Sequence, residues 1–274
     1  MTSIQAIIMA LIQGVTELFP ISSLGHAVIL PRLIGWGDII HNPDFLPYLV
    51  VMHLGTAIAL FVYFWSDWFA FGDSLIRRDG PRSMADRRIL GHVVLATIPA
   101  VVVGFVLHKW LASAFSTPQI AAFFLMVNGA VLFFGDQISG EGVGELDQLN
   151  WKGALAVGTA QCFALIPGFS RSGLTMAAGT IAGLKHEDSA RFSFLMATPI
   201  ILGATALEAP KLFKAGATLG GASLLSGVVA GVVAYVSLVV LMRYFHTHEF
   251  NALKPFSYYC AIAGAASLVL MYFI

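Results

Sequence analysis

Six long apolar stretches constrain the fold of this chain more than any other feature of its sequence. Each is close to the ~20 residues that an α-helix needs to cross the hydrocarbon core of a bilayer. We place these predicted spans at 47–66, 89–108, 118–135, 192–210, 219–242 and 256–274. The chain is 58% hydrophobic and 11% charged, which is not the composition of a soluble domain. The sequence therefore predicts an all-α polytopic membrane protein with six transmembrane helices.

Two further apolar segments, 2–34 and 151–184, are each interrupted in the middle. The first contains the motif "QGVTELFPISSLG" around Pro20, and the second contains "QCFALIPGFSRSG" around Pro167. Proline lacks an N–H group and disfavours helix in the residue before it, so each segment is predicted to be a broken re-entrant helical hairpin. Non-helical backbone at this depth is tolerated only inside protein or beside a water-filled cavity. Each break therefore predicts a cavity.

The two interrupted segments mark an internal repeat. Both motifs begin with a glutamine, Gln13 and Gln161, and each hairpin is followed by three predicted spans. We place the repeats at approximately 1–135 and 145–274, within a single integral membrane domain, 1–274. Because three is an odd number, the second repeat starts on the opposite side of the membrane from the first. The sequence thus predicts an inverted repeat.

The membrane orientation follows from the distribution of arginine. The segment "RRDGPRSMADRR", residues 77–88, lies between two predicted spans. Loops rich in Lys and Arg stay on the cytoplasmic side. We therefore expect a cytoplasmic location for this segment and place both termini outside.

The half-helix that follows each break starts among serines. Ser22 and Ser23 lie at this position in the first segment, and Ser170 and Ser172 in the second. Helix N-termini attract anions because their N–H groups lack partners within the helix. Arg171 adds a guanidinium group suited to bidentate recognition of phosphate. If the tips of the two hairpins meet, these groups form a phosphate-binding cavity.

Glu17 lies before the first break, at the C-terminal end of a half-helix. This end of a helix is already partly negative, so a carboxylate there needs a compensating cation, which is either a metal ion or Arg171. Divalent ions such as Mg²⁺ commonly bind through one or two carboxylates and the phosphate oxygens of a substrate. Gln13 lies four residues earlier on the same helical face and offers a carbonyl oxygen or an amide N–H.

Three other polar side chains lie within the apolar segments. His26 follows Ser23 by three residues and Ser22 by four, a spacing that permits a general base beside a nucleophile. His53 and Asn128 fall within predicted spans, where we expect interhelical hydrogen bonds. Alternatively, His53 reaches the cavity, because it precedes an "LGTA" element that has a counterpart in the second repeat.

The segments "QGVTELFPISSLGH" and "PGFSRSGLT" together resemble the two signature segments of the undecaprenyl-pyrophosphate phosphatases of the bacitracin-resistance type. The resemblance covers nearly the whole chain, including "ARFSFLMATPIILGATALE". It implies hydrolysis of undecaprenyl pyrophosphate to undecaprenyl phosphate and inorganic phosphate, which recycles the lipid carrier of cell-wall synthesis. It also implies a divalent metal, Mg²⁺ or Ca²⁺. The implied location is the bacterial cytoplasmic (inner) membrane, with the active site open to the outer, periplasmic face.

The resemblance also assigns roles to motif positions. It implies a catalytic set that consists of Glu17, Ser23, His26 and Arg171. It implies a phosphate site lined by Ser22, Gly25, Ser170, Ser172, Gly173 and Thr175. The first motif of the family usually begins with Glu, whereas this chain has Gln13, a site-lining or metal-binding position. Leu24 stands where Thr is common.

Two functional classes fit these features. The leading interpretation is a membrane phosphatase, and the alternative is a transporter or flippase of lipid phosphate or a small anion, since inverted repeats with broken helices also build secondary carriers. The pairing of Ser23 with His26 favours chemistry, because a binding site needs no base beside a hydroxyl. A formal net charge of zero argues against a nucleic-acid partner. The expected partners are an isoprenoid pyrophosphate and membrane lipids, and a homodimer is left open.

Overall fold

The computed structural model describes residues 2–42, 45–77, 80–114, 117–139, 142–214, 221–248 and 250–273. These residues form eleven α-helices, two short 3-10 helices and an isolated bridge between Gly144 and Leu184. The α-helices are α1 (Ser3–Thr16), α2 (Ser23–Leu33), α3 (Phe45–Tyr63), α4 (Trp65–Ile76), α5 (Pro81–Ala114), α6 (Pro118–Ser139), α7 (Trp151–Phe163), α8 (Arg171–Ile181), α9 (His186–Lys214), α10 (Gly221–Thr247) and α11 (Lys254–Phe273). The 3-10 helices span Gly37–His41 and Leu146–Gln148. The predicted all-α class is confirmed.

Five helices within the described residues are long and apolar enough to cross a membrane. They are α5 over Pro81–Leu107, α6, α9 over His186–Ala209, α10 and α11. Helices α3 and α4 make a sixth candidate as a pair, bent by 68° at Phe64. The chain is therefore a multi-pass membrane protein. The count of six spans beside two re-entrant hairpins remains a prediction.

The structure differs from the sequence expectations around α4 and α5. The predicted span 47–66 ends in the bend at Phe64, and α4 follows as a separate helix that we did not predict. Most of the arginine-rich segment belongs to the start of α5, with Pro81 at the first helical position, where a missing N–H costs nothing. Residues 78 and 79 of this segment lie outside the described residues. Hydropathy detects only the apolar part of a helix, so it missed both features.

Both interrupted segments are broken near their prolines, as predicted. Helix α1 ends at Thr16 and α2 begins at Ser23, whereas α7 ends at Phe163 and α8 begins at Arg171. Each second half-helix has a serine N-cap whose Oγ accepts a hydrogen bond from a glycine N–H three residues later, at 3.1 Å in both cases. A cap of this kind satisfies one of the N–H groups that a helix start leaves free.

The packing of the helices brings the two breaks together. Helix α1 packs against α10, and α7, which has the same position in the second half of the chain, packs against α5. Helices α2 and α8 both pack against α6. A β-carbon added to Gly25 would lie 3.2 Å from the Cα of Gly168, so the backbones of the two interrupted segments are in close contact. The breaks therefore share one site.

Candidate active site

Glu17 is the centre of a hydrogen-bond network that joins the two breaks. Its side chain is buried. Its Oε1 accepts a hydrogen bond from Arg171 Nη2 at 3.0 Å. Its Oε2 accepts hydrogen bonds from the Ser23 hydroxyl at 2.5 Å and from Gln13 Nε2 at 3.1 Å. Of the two cations proposed to compensate Glu17, the structure therefore provides Arg171, which belongs to the opposite break.

The turn before α2 holds a residue in an unfavourable backbone conformation. Ser22 has a φ of +70°, in the left-handed region that costs a non-glycine residue roughly 1–2 kcal/mol. Two hydrogen bonds hold this conformation, one from the Gly25 N–H to Ser22 Oγ and one from His26 Nδ1 to the Ser22 carbonyl at 2.7 Å. Strain of this kind concentrates at functional sites. Here it sets the direction in which Ser23 leaves the turn.

His26 has other partners than the spacing suggested. A carbonyl oxygen only accepts, so Nδ1 of His26 carries the proton that is donated to Ser22. Its Nε2 then accepts a hydrogen bond from the Tyr259 hydroxyl at 2.8 Å. The Ser23 hydroxyl instead donates to Glu17. Side chains on a helix tilt towards its N-terminus, which brings His26 to the carbonyl of the preceding turn and directs Ser23 back across the break.

His53 also reaches the site. Its Nδ1 donates to the Leu49 carbonyl of its own helix at 2.8 Å, which leaves Nε2 directed to Glu17 Oε2 at 3.6 Å. The hydrogen bond of His53 thus stays within its own helix, and its other ring nitrogen faces the carboxylate at the breaks. That His53 reaches a cavity stays a prediction. Its position before the repeated "LGTA" element was the only signal in the sequence.

The hydroxyl groups of the second break bond to protein. Ser170 Oγ and Ser172 Oγ lie 3.1 Å apart, and Ser172 Oγ donates to the Phe19 carbonyl in the first break at 3.2 Å. Thr175 Oγ1 donates to the Arg171 carbonyl at 2.8 Å and lies 2.7 Å from Ser193 Oγ of α9. The two serines thus connect the breaks, whereas the contacts of Thr175 are with its own helix and α9.

Arg171 retains capacity for a ligand. Its Nη2 binds Glu17, but its Nη1 is buried and has no hydrogen-bond partner among the described residues. An unpaired buried N–H of a charged group is costly, so native structures rarely keep one without a reason. A guanidinium with a free N–H beside two helix N-termini suits a phosphate group.

The polar residues around Glu17 offer few ligands for a metal. Glu17 supplies one carboxylate and Gln13 one amide oxygen, and the described part of the chain contains no group of three or more His, Cys, Asp or Glu side chains that could hold an ion. Oxygen donors of this kind suit a hard cation such as Mg²⁺ or Ca²⁺. The small number of donors fits an ion that takes further ligands from substrate phosphate and water.

Comparison with known proteins gives consistent matches over almost the full length. Residues 6–266 match the family model described as bacitracin resistance protein BacA. The undecaprenyl-diphosphatase of Acidiphilium cryptum (strain JF-5) is 48% identical, covering 100% of this chain and 99% of its own. That of Granulibacter bethesdensis is also 48% identical, covering 100% and 98%. The undecaprenyl-diphosphatase 2 of Chromobacterium violaceum is 43% identical, covering 98% and 99%.

Proposed function

Because the chain belongs to the bacitracin resistance protein BacA family, we propose that it is an undecaprenyl-diphosphatase of the membrane. It hydrolyses undecaprenyl pyrophosphate to undecaprenyl phosphate and inorganic phosphate, and so recycles the lipid carrier of cell-wall synthesis. One observation carries this proposal: the Ser23 hydroxyl lies 2.5 Å from a carboxylate that is itself paired with Arg171. Transport requires no hydroxyl held against a carboxylate, so this contact favours hydrolysis over the transporter alternative.

Arg171 binds the pyrophosphate in this proposal. Its unpaired Nη1 donates to a phosphate oxygen, and the N-termini of α2 and α8 add partial positive charge. Catalysis of phosphoryl transfer depends mainly on positioning and on stabilising the charge that develops on the transferring group. A fixed guanidinium and two fixed helix ends need no reorganisation to do so.

Ser23 and Glu17 carry out the chemical step. Ser23 Oγ attacks the terminal phosphorus while its proton passes to Glu17 Oε2, the bond from phosphorus to the bridging oxygen breaks, and undecaprenyl phosphate leaves. Water then hydrolyses the phosphoserine and releases inorganic phosphate. In the alternative mechanism, Ser23 orients a water molecule that attacks the phosphorus directly, and Glu17 again accepts the proton. His26 contributes by holding the Ser22 carbonyl, and with it the turn that presents Ser23.

We propose Mg²⁺ or Ca²⁺ as the cofactor. The Glu17 carboxylate and the amide oxygen of Gln13 would hold the ion together with substrate oxygens. When bound, it neutralises part of the negative charge of the pyrophosphate.

We place the protein in the bacterial cytoplasmic (inner) membrane, with the site open to the periplasmic face. The arginine-rich start of α5 supports this orientation, because such segments remain cytoplasmic. The homodimer that the sequence leaves open stays a prediction, which light scattering of the detergent-solubilised protein checks.

Phosphate release from undecaprenyl pyrophosphate by the purified protein in detergent micelles tests the proposed function. We expect release by the wild type and its loss in Ser23→Ala and in Arg171→Ala, with both variants still folded by thermal unfolding. Ser267→Ala is the matched control, since its hydroxyl bonds only to the Ala263 carbonyl of α11 in the contacts described. Wild-type rates in Ser23→Ala would contradict the proposed nucleophile, and an inactive wild type would contradict the function.

A further inference from the structure

One side chain outside both hairpins touches the backbone of each break. Asn128 lies in α6 and is completely buried. Its Oδ1 accepts a hydrogen bond from the Ser170 backbone N–H at 3.0 Å, and its Nδ2 donates to the Pro20 carbonyl at 3.1 Å. The sequence predicts an interhelical hydrogen bond for Asn128, and its contact with Cys260 of α11 confirms this. The structure adds that the same amide joins the two interrupted segments.

The groups that Asn128 binds are those that a broken helix leaves in need of partners. Pro20 lies in the turn between α1 and α2, and Ser170 is the N-cap of α8, so neither group is part of a regular helical ladder. In the interior of a membrane protein no bulk water replaces such partners. A carboxamide supplies one acceptor and two donors in a fixed plane, which suits one N–H and one carbonyl at once.

The second N–H of this amide is also engaged on the side of α11. Asn128 Nδ2 lies 3.4 Å from Cys260 Sγ, and the same sulfur lies 3.7 Å from the Pro20 carbonyl. The first break is therefore held against α6 and α11 together. This contact restricts where the amide, and the turn that it binds, can move.

The two anchored backbone groups are close in sequence to the reacting side chains. Pro20 follows Glu17 by three residues, and Ser170 immediately precedes Arg171. We propose that Asn128 is a positioning residue, which fixes the register between the breaks so that Arg171 meets Glu17 and the Ser23 hydroxyl stays against the same carboxylate. This inference rests on the proposed hydrolase function and assigns Asn128 no contact with substrate.

Two substitutions test this role through kcat and KM. Asn128→Leu has a similar volume and removes both hydrogen bonds, whereas in Asn128→Asp burial favours the neutral carboxyl, which keeps an acceptor for the Ser170 N–H and one O–H donor for the Pro20 carbonyl. We expect kcat to fall about 10²-fold in Asn128→Leu, the order of loss that follows a small misplacement of reacting groups, with KM little changed. Asn128→Asp should retain more of the activity. Thr198→Val is the control, because this buried hydroxyl bonds to the Phe194 carbonyl of its own helix.

A double-mutant cycle separates positioning from a general loss of structure. If Asn128 acts by placing Arg171, Asn128→Leu should cost much less activity in an Arg171→Lys background than in the wild type. Equal losses in the two backgrounds would overturn the inference. So would wild-type kcat in a folded Asn128→Leu variant.

Hydrogen exchange gives a readout that does not depend on activity. In Asn128→Leu, exchange should rise at the amides of both breaks, including Ser170, and remain as in the wild type along α10. Unchanged exchange at Ser170 would contradict the inference even if activity fell. An inactive wild type would contradict the proposed function. Hydrogen exchange would then still show whether Asn128 fixes the register between the two breaks. If Asn128→Leu does not fold, the same exchange measurement on Asn128→Ala, which also removes both hydrogen bonds, decides.

Discussion

The two breaks have the same frame and different chemistry. In both, a serine N-cap binds the N–H of a glycine three residues later, so two helix N-termini converge on one site. The first break carries the carboxylate Glu17 and the hydroxyl of Ser23, and the second carries the guanidinium of Arg171. Neither break contains both members of the ion pair. The two breaks thus provide matching helix ends, and the site depends on the side chains in which the breaks differ.

The breaks also differ in how their backbones turn. The first passes through a positive φ at Ser22, a residue with a β-carbon, whereas the second does so at Gly168, with a φ of +103°. Glycine adopts such angles without strain. The strained turn is therefore the one that presents the proposed nucleophile, and the relaxed turn packs against α6. This difference suggests that strain is retained only where a side chain is needed.

Among the substitutions that remove a difference between the two breaks, Glu17→Gln should lower activity the most. It removes both the proton acceptor for Ser23 and the counter-charge of Arg171. The two breaks then no longer carry opposite charges. We expect kcat to fall about 10³-fold, within the range for loss of a general base. Leaving the Arg171 guanidinium, whose side chain is 13% exposed, without its counter-charge should also destabilise the fold by about 3 kcal/mol. Phosphate release and thermal unfolding in the same detergent measure both effects.

Glu187→Gln is the control for this change, because its carboxylate pairs with His246 at the protein surface, away from the breaks. It should leave activity and unfolding near wild type. A Glu17→Gln variant with wild-type turnover would show that another group accepts the proton.

Substitutions at the two positive-φ residues, Gly168 and Ser22, should have the next largest effects, and these effects are on stability. A β-carbon at Gly168 would lie 2.8 Å from the Leu125 nitrogen and would also require an unfavourable φ. We therefore expect Gly168→Ala to destabilise the protein by about 3 kcal/mol. Ser22→Gly relieves strain and loses a cap for which glycine is a fair substitute, so its stability should match or exceed that of the wild type.

Ser22→Ala is the companion variant, since it keeps the strain and loses the cap. It should be less stable than Ser22→Gly by about 1 kcal/mol or more. Denaturant unfolding of the four proteins gives the order directly. If Ser22→Gly were as unstable as Gly168→Ala, strain at Ser22 would not be the feature that separates the two turns.

The spanning helices, the two breaks and their caps were predictable from the sequence, because short stretches of sequence determine each of them. Apolar length locates the spanning helices, and Pro20 and Pro167 with their following serines and glycines locate the breaks and caps. Opposite charges in an apolar chain, Glu17 and Arg171, are likewise expected to meet. The end of the third helix at Phe64 was not predictable, since no proline or glycine marks that position.

The partners within the site could not be read from spacing. Ser23 and His26 lie three residues apart, which permits a contact, yet the hydroxyl is directed across the break to a carboxylate on another helix. Asn128 and His53 are far from both motifs in sequence and enter the site only through the packing of α6 and α3. Helical spacing describes one helix, whereas this site is made by several helices docking together.

The glutamines at the start of the two motifs, Gln13 and Gln161, should show the smallest difference in function between the two breaks. Gln13 donates to Glu17 at 3.1 Å, whereas Gln161 is buried and neither polar atom of its amide has a partner among the described residues. Gln13→Leu removes a hydrogen bond to a charged group, worth about 1.5 kcal/mol, and should lower kcat about tenfold. Gln161→Leu removes an unpaired buried amide, so activity should persist and stability should stay level or rise by about 1 kcal/mol. Equal losses of kcat in the two variants would mean that both glutamines serve the site, and that the two breaks are less different in function than their contacts indicate.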